Sequence, residues 1–119
     1  MIANRTNMVS IIVPTLNTEQ DLPGLVTGLM KQTVVPKEII LVDSSSQDDT
    51  VNIARQLGCR VYVIPRNEFD HGGTRNYGAS FATGDILVFM TQDALPSNQY
   101  FLENLIAPLD DASVVASFG

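Results

Sequence analysis

Residues 38–50 read EIILVDSSSQDDT, and this stretch decides the fold. Ile39 to Val42 is a short, unbroken apolar run that stops at Asp43 and three serines. A run of that length, bounded by polar turn residues, reads as a strand buried on both faces. Upstream, VSIIV at 9–13 is a second such run, stopped by Pro14. Between the two, Leu22, Leu25, Val26, Leu29 and Met30 recur at helical spacing. Downstream, Val51, Ile53, Ala54 and Leu57 do the same before Gly58 closes the segment. Arg60 to Ile64, ended by Pro65, is a third strand, and Asp85 to Met90, followed by Thr91, Gln92 and Asp93, is a fourth. Arg75 to Ala82 reads as a weaker helix interrupted by Gly78. Asn98 to Leu109 reads as a better one with Ser97 as its cap, and Ser113 to Gly119 opens a further strand. Strands alternating with helices and buried on both faces predict an α/β fold, a three-layer α/β/α arrangement around a mostly parallel sheet.

With 119 residues and 45% hydrophobic composition, the chain is long enough for one domain with a real core, spanning 1–119. The single cysteine, Cys59, excludes an internal disulfide, and a reducing cytoplasm suits it. Val9 to Val13 is far too short to span a membrane, and Met1 to Met8 lacks a signal-peptide core, so the fragment is expected to be soluble. Any place at the inner membrane surface would come through other segments or partners. The net charge of −6 argues against nucleic acid as a partner. An anionic ligand therefore needs local help, from a cation carried with it, from arginines such as Arg66 and Arg75, or from backbone amides.

In open α/β sheets ligands bind beyond the carboxyl ends of the strands. There the chain is polar: Pro14, Thr15, Leu16 and Asn17 after the first strand, Asp43 to Ser46 after the second, Thr91 to Asp93 after the fourth. Asp43 either caps the helix beginning near Asp49 or, with Ser46 or Gln47 sufficing as the cap, accepts a hydrogen bond from an imide N–H such as that of uracil or thymine. Asp93, with the carbonyl oxygen of Gln92 beside it, suits a hard divalent ion, magnesium or manganese, that also holds a diphosphate; alone it is an ordinary exposed aspartate. In FDHGGTRNYGAS, 69–80, Gly72 and Gly73 permit a loop that folds over a ligand, and Arg75 offers a bidentate partner for phosphate. His71, the only histidine, reads as an exposed loop residue without a role.

Taken together, VSIIVPTLN at 9–17, EIILVDSSSQDDT at 38–50, GGTRNYGAS at 72–80 and GDILVFMTQDALP at 84–96 resemble the family 2 glycosyltransferases of GT-A fold. FDHGGTRN and TQDALP resemble the bacterial rhamnosyltransferase branch, which builds cell-surface polysaccharide from deoxythymidine-diphosphate-rhamnose. The resemblance implies a nucleoside-diphosphate-sugar donor, UDP- or dTDP-linked, and a saccharide or lipid-linked acceptor. Pro14, Thr15, Asn17 and Asp43 would hold the nucleoside, Arg75 and Gln92 would lie at the base or phosphates, and Asp93 would hold the metal. It implies inverting displacement at the anomeric carbon, with the catalytic residue not among those named here, because the family's base lies well downstream of the metal motif and Asp110 and Asp111 come too early. The chain is thus read as the donor-binding portion, ending mid-sheet at Gly119, with the acceptor-binding part absent. Two departures stand out: Ser44 follows Asp43 where many relatives carry a second carboxylate, and Gln92 precedes Asp93 where the metal motif usually has another acid. A phospho-accepting receiver domain, with Asp43 and Thr91 in its key places, is the main alternative, but no acidic pair follows the first strand and no lysine lies beyond Lys37. A dinucleotide-binding enzyme would need a Gly-rich turn after the first strand, and a sugar-nucleotide activating enzyme a Gly- and Arg-rich loop there.

Overall fold

The computed structural model describes residues 9–68, 71–107 and 115–118. Its strands are β1 (Val9–Thr15), β2 (Glu38–Asp43), β3 (Arg60–Val63), β4 (Ile86–Met90) and β5 (Val115–Phe118), all parallel, in the order β3-β2-β1-β4-β5. The helices are α1 (Leu22–Met30), α2 (Thr50–Gln56), α3 (His71–Ala79) and α4 (Phe101–Ile106), with a 3₁₀ turn at Arg66–Glu68. Alternate residues of the central strand serve the two faces. Val9, Ile11 and Val13 pack with Leu22, Leu25 and Leu29 of α1, Ala54 of α2 and Leu102 and Ile106 of α4. Ile12 packs with Ile40 and Phe89 on the other face, beneath Ala79 of α3, Phe81 and Ala82. The three expected layers are therefore present.

β1 runs through Pro14 rather than stopping at it. Val9 O accepts from Lys37 N and Thr15 O from Ser44 N, so odd-numbered residues of β1 turn their backbone groups toward β2. Pro14 faces the β4 side, where pairing has already ended at Ile12 opposite Phe89, and its missing N–H breaks no ladder bond. α2 closes as the sequence predicts: Gly58 adopts φ 88°, Gly58 N donates to Arg55 O and Cys59 N to Ala54 O, a Schellman close. Cys59 is buried here, and that burial pushes its thiol up to about 11, so it is not a nucleophile near neutral pH.

Three expectations are corrected. α3 starts at His71, so Gly72 and Gly73 lie in its first turn and are no loop able to fold over a ligand. Gly78 does not interrupt that helix; it lets α3 approach β1 and β2 so closely that a Cβ there would meet Ile12 Cγ2 at 2.7 Å and Val42 Cγ2 at 2.9 Å. α4 begins at Phe101 with Tyr100 at its cap, and Asn98 Oδ1, not Ser97, accepts the Tyr100 N–H at 2.8 Å. The readings of Met1 to Met8, Phe69, Asp70, Leu109, Asp110, Asp111, Ser113 and Gly119 fall outside the described residues. Among the described residues no helix is long and apolar enough to cross a membrane.

Candidate functional site

From β1 the chain runs to β2 over the α1 face, whereas it reaches β4 by way of α3 on the other face. Connections that leave in opposite directions open a crevice at the carboxyl ends of β1 and β4, the usual ligand position in such sheets. A cleft of about 320 Å³ lies there. Pro14, Thr15 and Leu16 line it from β1 and Thr91 and Gln92 from the end of β4. Ser44 lines it from β2, Arg66 from the 3₁₀ turn after β3, and Arg75 from α3.

Two guanidinium groups and no carboxylate thus line this cleft among the described residues, in a chain whose net charge is −6. Ser44 Oγ and Arg75 Nε are buried and have no hydrogen-bond partner among the described residues. Each such atom costs about 1–3 kcal/mol unless a ligand or water satisfies it. The cleft therefore suits an oxygen-rich anion.

Asp43 is fully buried and does not line the cleft. Its Oδ1 accepts from Thr15 Oγ1 at 2.7 Å and from Ser46 Oγ at 2.6 Å, and its Oδ2 accepts from Ser46 N at 2.7 Å. Asp43 does not cap α2: it ties the β1 and β2 termini together, while Asp48 takes Thr50 N at the start of α2. This burial also argues against the receiver-domain alternative, whose aspartate must be reachable. Asn17, in the left-handed region at φ 49°, donates its N–H to Ser46 Oγ and accepts Gln47 N on Oδ1, both at 2.8 Å. It stitches the two loops together outside the cleft, beside a second hollow it shares with Glu19, Asp21 and Asp48.

Gln92 Oε1 accepts Leu16 N at 2.8 Å, so the oxygen expected beside a metal is spent on holding β1 to β4 across the crevice. Asp93 is exposed, and its Oδ1 accepts Thr91 Oγ1 at 2.9 Å. No group of three or more His, Cys, Asp or Glu side chains that would hold a metal occurs among the described residues. A single carboxylate fits an ion whose other ligands are diphosphate oxygens and water, the usual manner of magnesium, and does not fit a nucleotide-independent site. Asp43 is buried and Asp93 is exposed, and neither lines the cleft. Arg66, expected with Arg75 as local help for an anion, is brought to the cleft by the 3₁₀ turn after β3. Its Nη2 donates to Ser45 O at 3.3 Å, holding it over the β2 loop.

The family model described as Glycosyl transferase family 2 matches residues 10–119. The chain is 33% identical over 113 residues to the O-antigen chain rhamnosyltransferase RfbN of Salmonella typhimurium, covering 93% of this chain and 36% of that one. It is 44% identical over 93 residues to the O-antigen chain rhamnosyltransferase WbaN of Salmonella anatum, covering 77% and 30%. The chain thus spans about a third of the length of these relatives. Among solved structures it is similar to glucosyl-3-phosphoglycerate synthase of Mycobacterium tuberculosis in complex with Mn²⁺, UDP and glucosyl-3-phosphoglycerate, with a TM-score of 0.69 and 26% identity over 92% of this chain and 43% of that one.

Proposed function

The chain belongs to glycosyl transferase family 2, and on that premise we propose that its cleft binds the nucleoside diphosphate of a UDP- or dTDP-linked sugar. The protein it serves would transfer that sugar, rhamnose being the first to test, to a saccharide or lipid-linked acceptor with inversion, in cell-surface polysaccharide synthesis. The observation carrying this reading is the pair of unpartnered buried atoms, Ser44 Oγ and Arg75 Nε, in a cleft lined by two arginines at the switch point of the sheet. The relatives' names support the rhamnosyl branch, and the UDP complex of the structural neighbour supports the donor class. The proposed setting is the cytoplasm, at the inner membrane surface where other segments or partners bring it there.

In this reading Arg75 and Arg66 take diphosphate oxygens, and Ser44 and Thr15 hold the nucleoside against Pro14. Asp43 acts behind them by fixing Thr15 and Ser46, and Asn17 by fixing the loop. The acceptor hydroxyl attacks the anomeric carbon in line with the diphosphate oxygen; the new C–O bond forms as the old one breaks, and the hydroxyl proton passes to a general base. The arginines already bound to the diphosphate stabilise the charge gathering on the leaving group. A magnesium or manganese ion, when bound by Asp93 and the diphosphate, would add to that stabilisation.

Calorimetric titration with UDP and dTDP, each with and without manganese and with ADP as control, tests the reading. A pyrimidine diphosphate should bind, ADP should not, and Arg75→Ala should weaken binding by about 10–100-fold, the worth of one charge-assisted contact. A folded sample that binds neither nucleotide, or binds ADP equally well, overturns it.

A further inference from the structure

We propose that Gln92 is a specificity residue that donates a hydrogen bond to the diphosphate, in the place where an acidic residue would instead demand a cation. The proposal rests on the donor-site reading above. It starts from the Leu16 N–H, which only donates, so the side-chain atom 2.8 Å away must be the oxygen of Gln92 and the amide orientation is settled by chemistry. The Nε2 group then has two hydrogens and no partner among the described residues, on a side chain that lines the cleft with Arg66 and Arg75. The guanidinium groups of Arg66 and Arg75 make this part of the cleft favour an anion, and Asp93, the neighbouring carboxylate, accepts the Thr91 hydroxyl and does not itself line the cleft. Gln92 therefore does two things at once: its oxygen fixes the β1 loop, and its nitrogen presents N–H to phosphate oxygen.

Glutamate has the same length and accepts the same Leu16 N–H, yet it offers no donor and adds a negative charge. Gln92→Glu thus separates the two tasks without removing the bridge, whereas Gln92→Ala removes both. The experiment is calorimetry of wild type and the two variants, with inorganic pyrophosphate and with UDP and dTDP, each with and without manganese, after a melting curve shows all three folded. Gln92→Glu should lose about tenfold or more of the metal-free affinity, for pyrophosphate as for the nucleotide, and recover most of it with manganese. Gln92→Ala should be weaker in both conditions and recover little. Unchanged metal-free binding by Gln92→Glu overturns the proposal while leaving the donor site standing. Loss confined to the nucleotides, with pyrophosphate unaffected, also overturns it and moves Gln92 to the nucleoside. A wild-type chain that binds neither pyrophosphate nor any pyrimidine nucleotide overturns this proposal and the donor-site reading together.

Discussion

Asp43 is a buried carboxylate that holds strand ends together without lining the cleft. Three donors converge on it, two hydroxyls and the Ser46 N–H, and they join the ends of β1 and β2 immediately beneath the cleft. Asparagine has the same shape but sets an NH₂ against one of those donors. Asp43→Asn should therefore cost about 1–3 kcal/mol of stability, read as a fall of the melting midpoint, and weaken nucleotide binding through the displaced loop. If the variant melts like wild type yet no longer binds a pyrimidine nucleotide, Asp43 contacts the base directly and the positioning role is wrong. Asp48 is a similar local anchor. Desolvation acts to raise its pKa, but the Thr50 hydroxyl, the Thr50 N–H and the Glu19 N–H outweigh it and hold the carboxyl below its ordinary value.

At the level of elements, α3 positions the cleft's deeper arginine, and its seat depends on one absent atom. Gly78 sets the helix against Ile12 and Val42 with no room for a methyl group. Three residues earlier on the same helix, Arg75 reaches the cleft. Gly78→Ala should gain helix propensity of about 1 kcal/mol but lose more to overpacking, for a net destabilisation of about 1–2 kcal/mol. Denaturant melts would measure it, and a variant at least as stable as wild type would show that the sheet relaxes around the methyl. Because α3 must shift outward to accept it, nucleotide affinity should fall in the same variant. The aromatic group on this face, with Phe81 stacked on Tyr62 at 3.8 Å and edge-on to Tyr77 at 5.0 Å, covers the end of α3 and limits that shift.

Across the whole molecule, the sheet has a cleft at one edge and a network of side-chain bonds at the other. At the amino ends of the strands, away from the cleft, Glu38 accepts from Ser10 Oγ at 2.7 Å, Thr83 N at 2.7 Å and Arg60 Nη1 at 2.8 Å, linking β1, β2, β3 and the entry to β4. Desolvation acts to raise its pKa, yet the Thr83 N–H, Ser10, Arg60 and the Thr83 hydroxyl prevail and lower it from 4.5 to about 2. A depressed carboxylate stabilises the folded state above its unfolded pKa, and the contribution drains away as pH falls from about 4.5 through about 2. Glu38→Gln should lower stability at neutral pH by about 1–2 kcal/mol, tempered by solvent at this edge, and flatten the pH dependence in that window. Equal acid sensitivity in the two proteins would remove Glu38 from that role. The alternation of apolar runs at 9–13, 39–42 and 85–90 with helical spacing between them was enough to determine the layered parallel fold, because burial on both faces leaves a strand few other places to go; the run at 60–64 also forms a strand, but as β3 at the sheet edge it is half-exposed rather than buried on both faces. The same logic located Pro14, Thr15 and Gln92 at the cleft, since strand ends collect on one edge, whereas Arg75 reaches it from α3. Only the tertiary structure decided which polar atoms face the cleft. That choice is made by hydrogen bonds between segments far apart in the chain, Thr15 to Asp43, Asn17 to Ser46 and Leu16 to Gln92. Those bonds turn Asp43 and the Gln92 oxygen inward and leave Ser44, Arg66 and Arg75 for the cleft, which no local pattern of residues encodes.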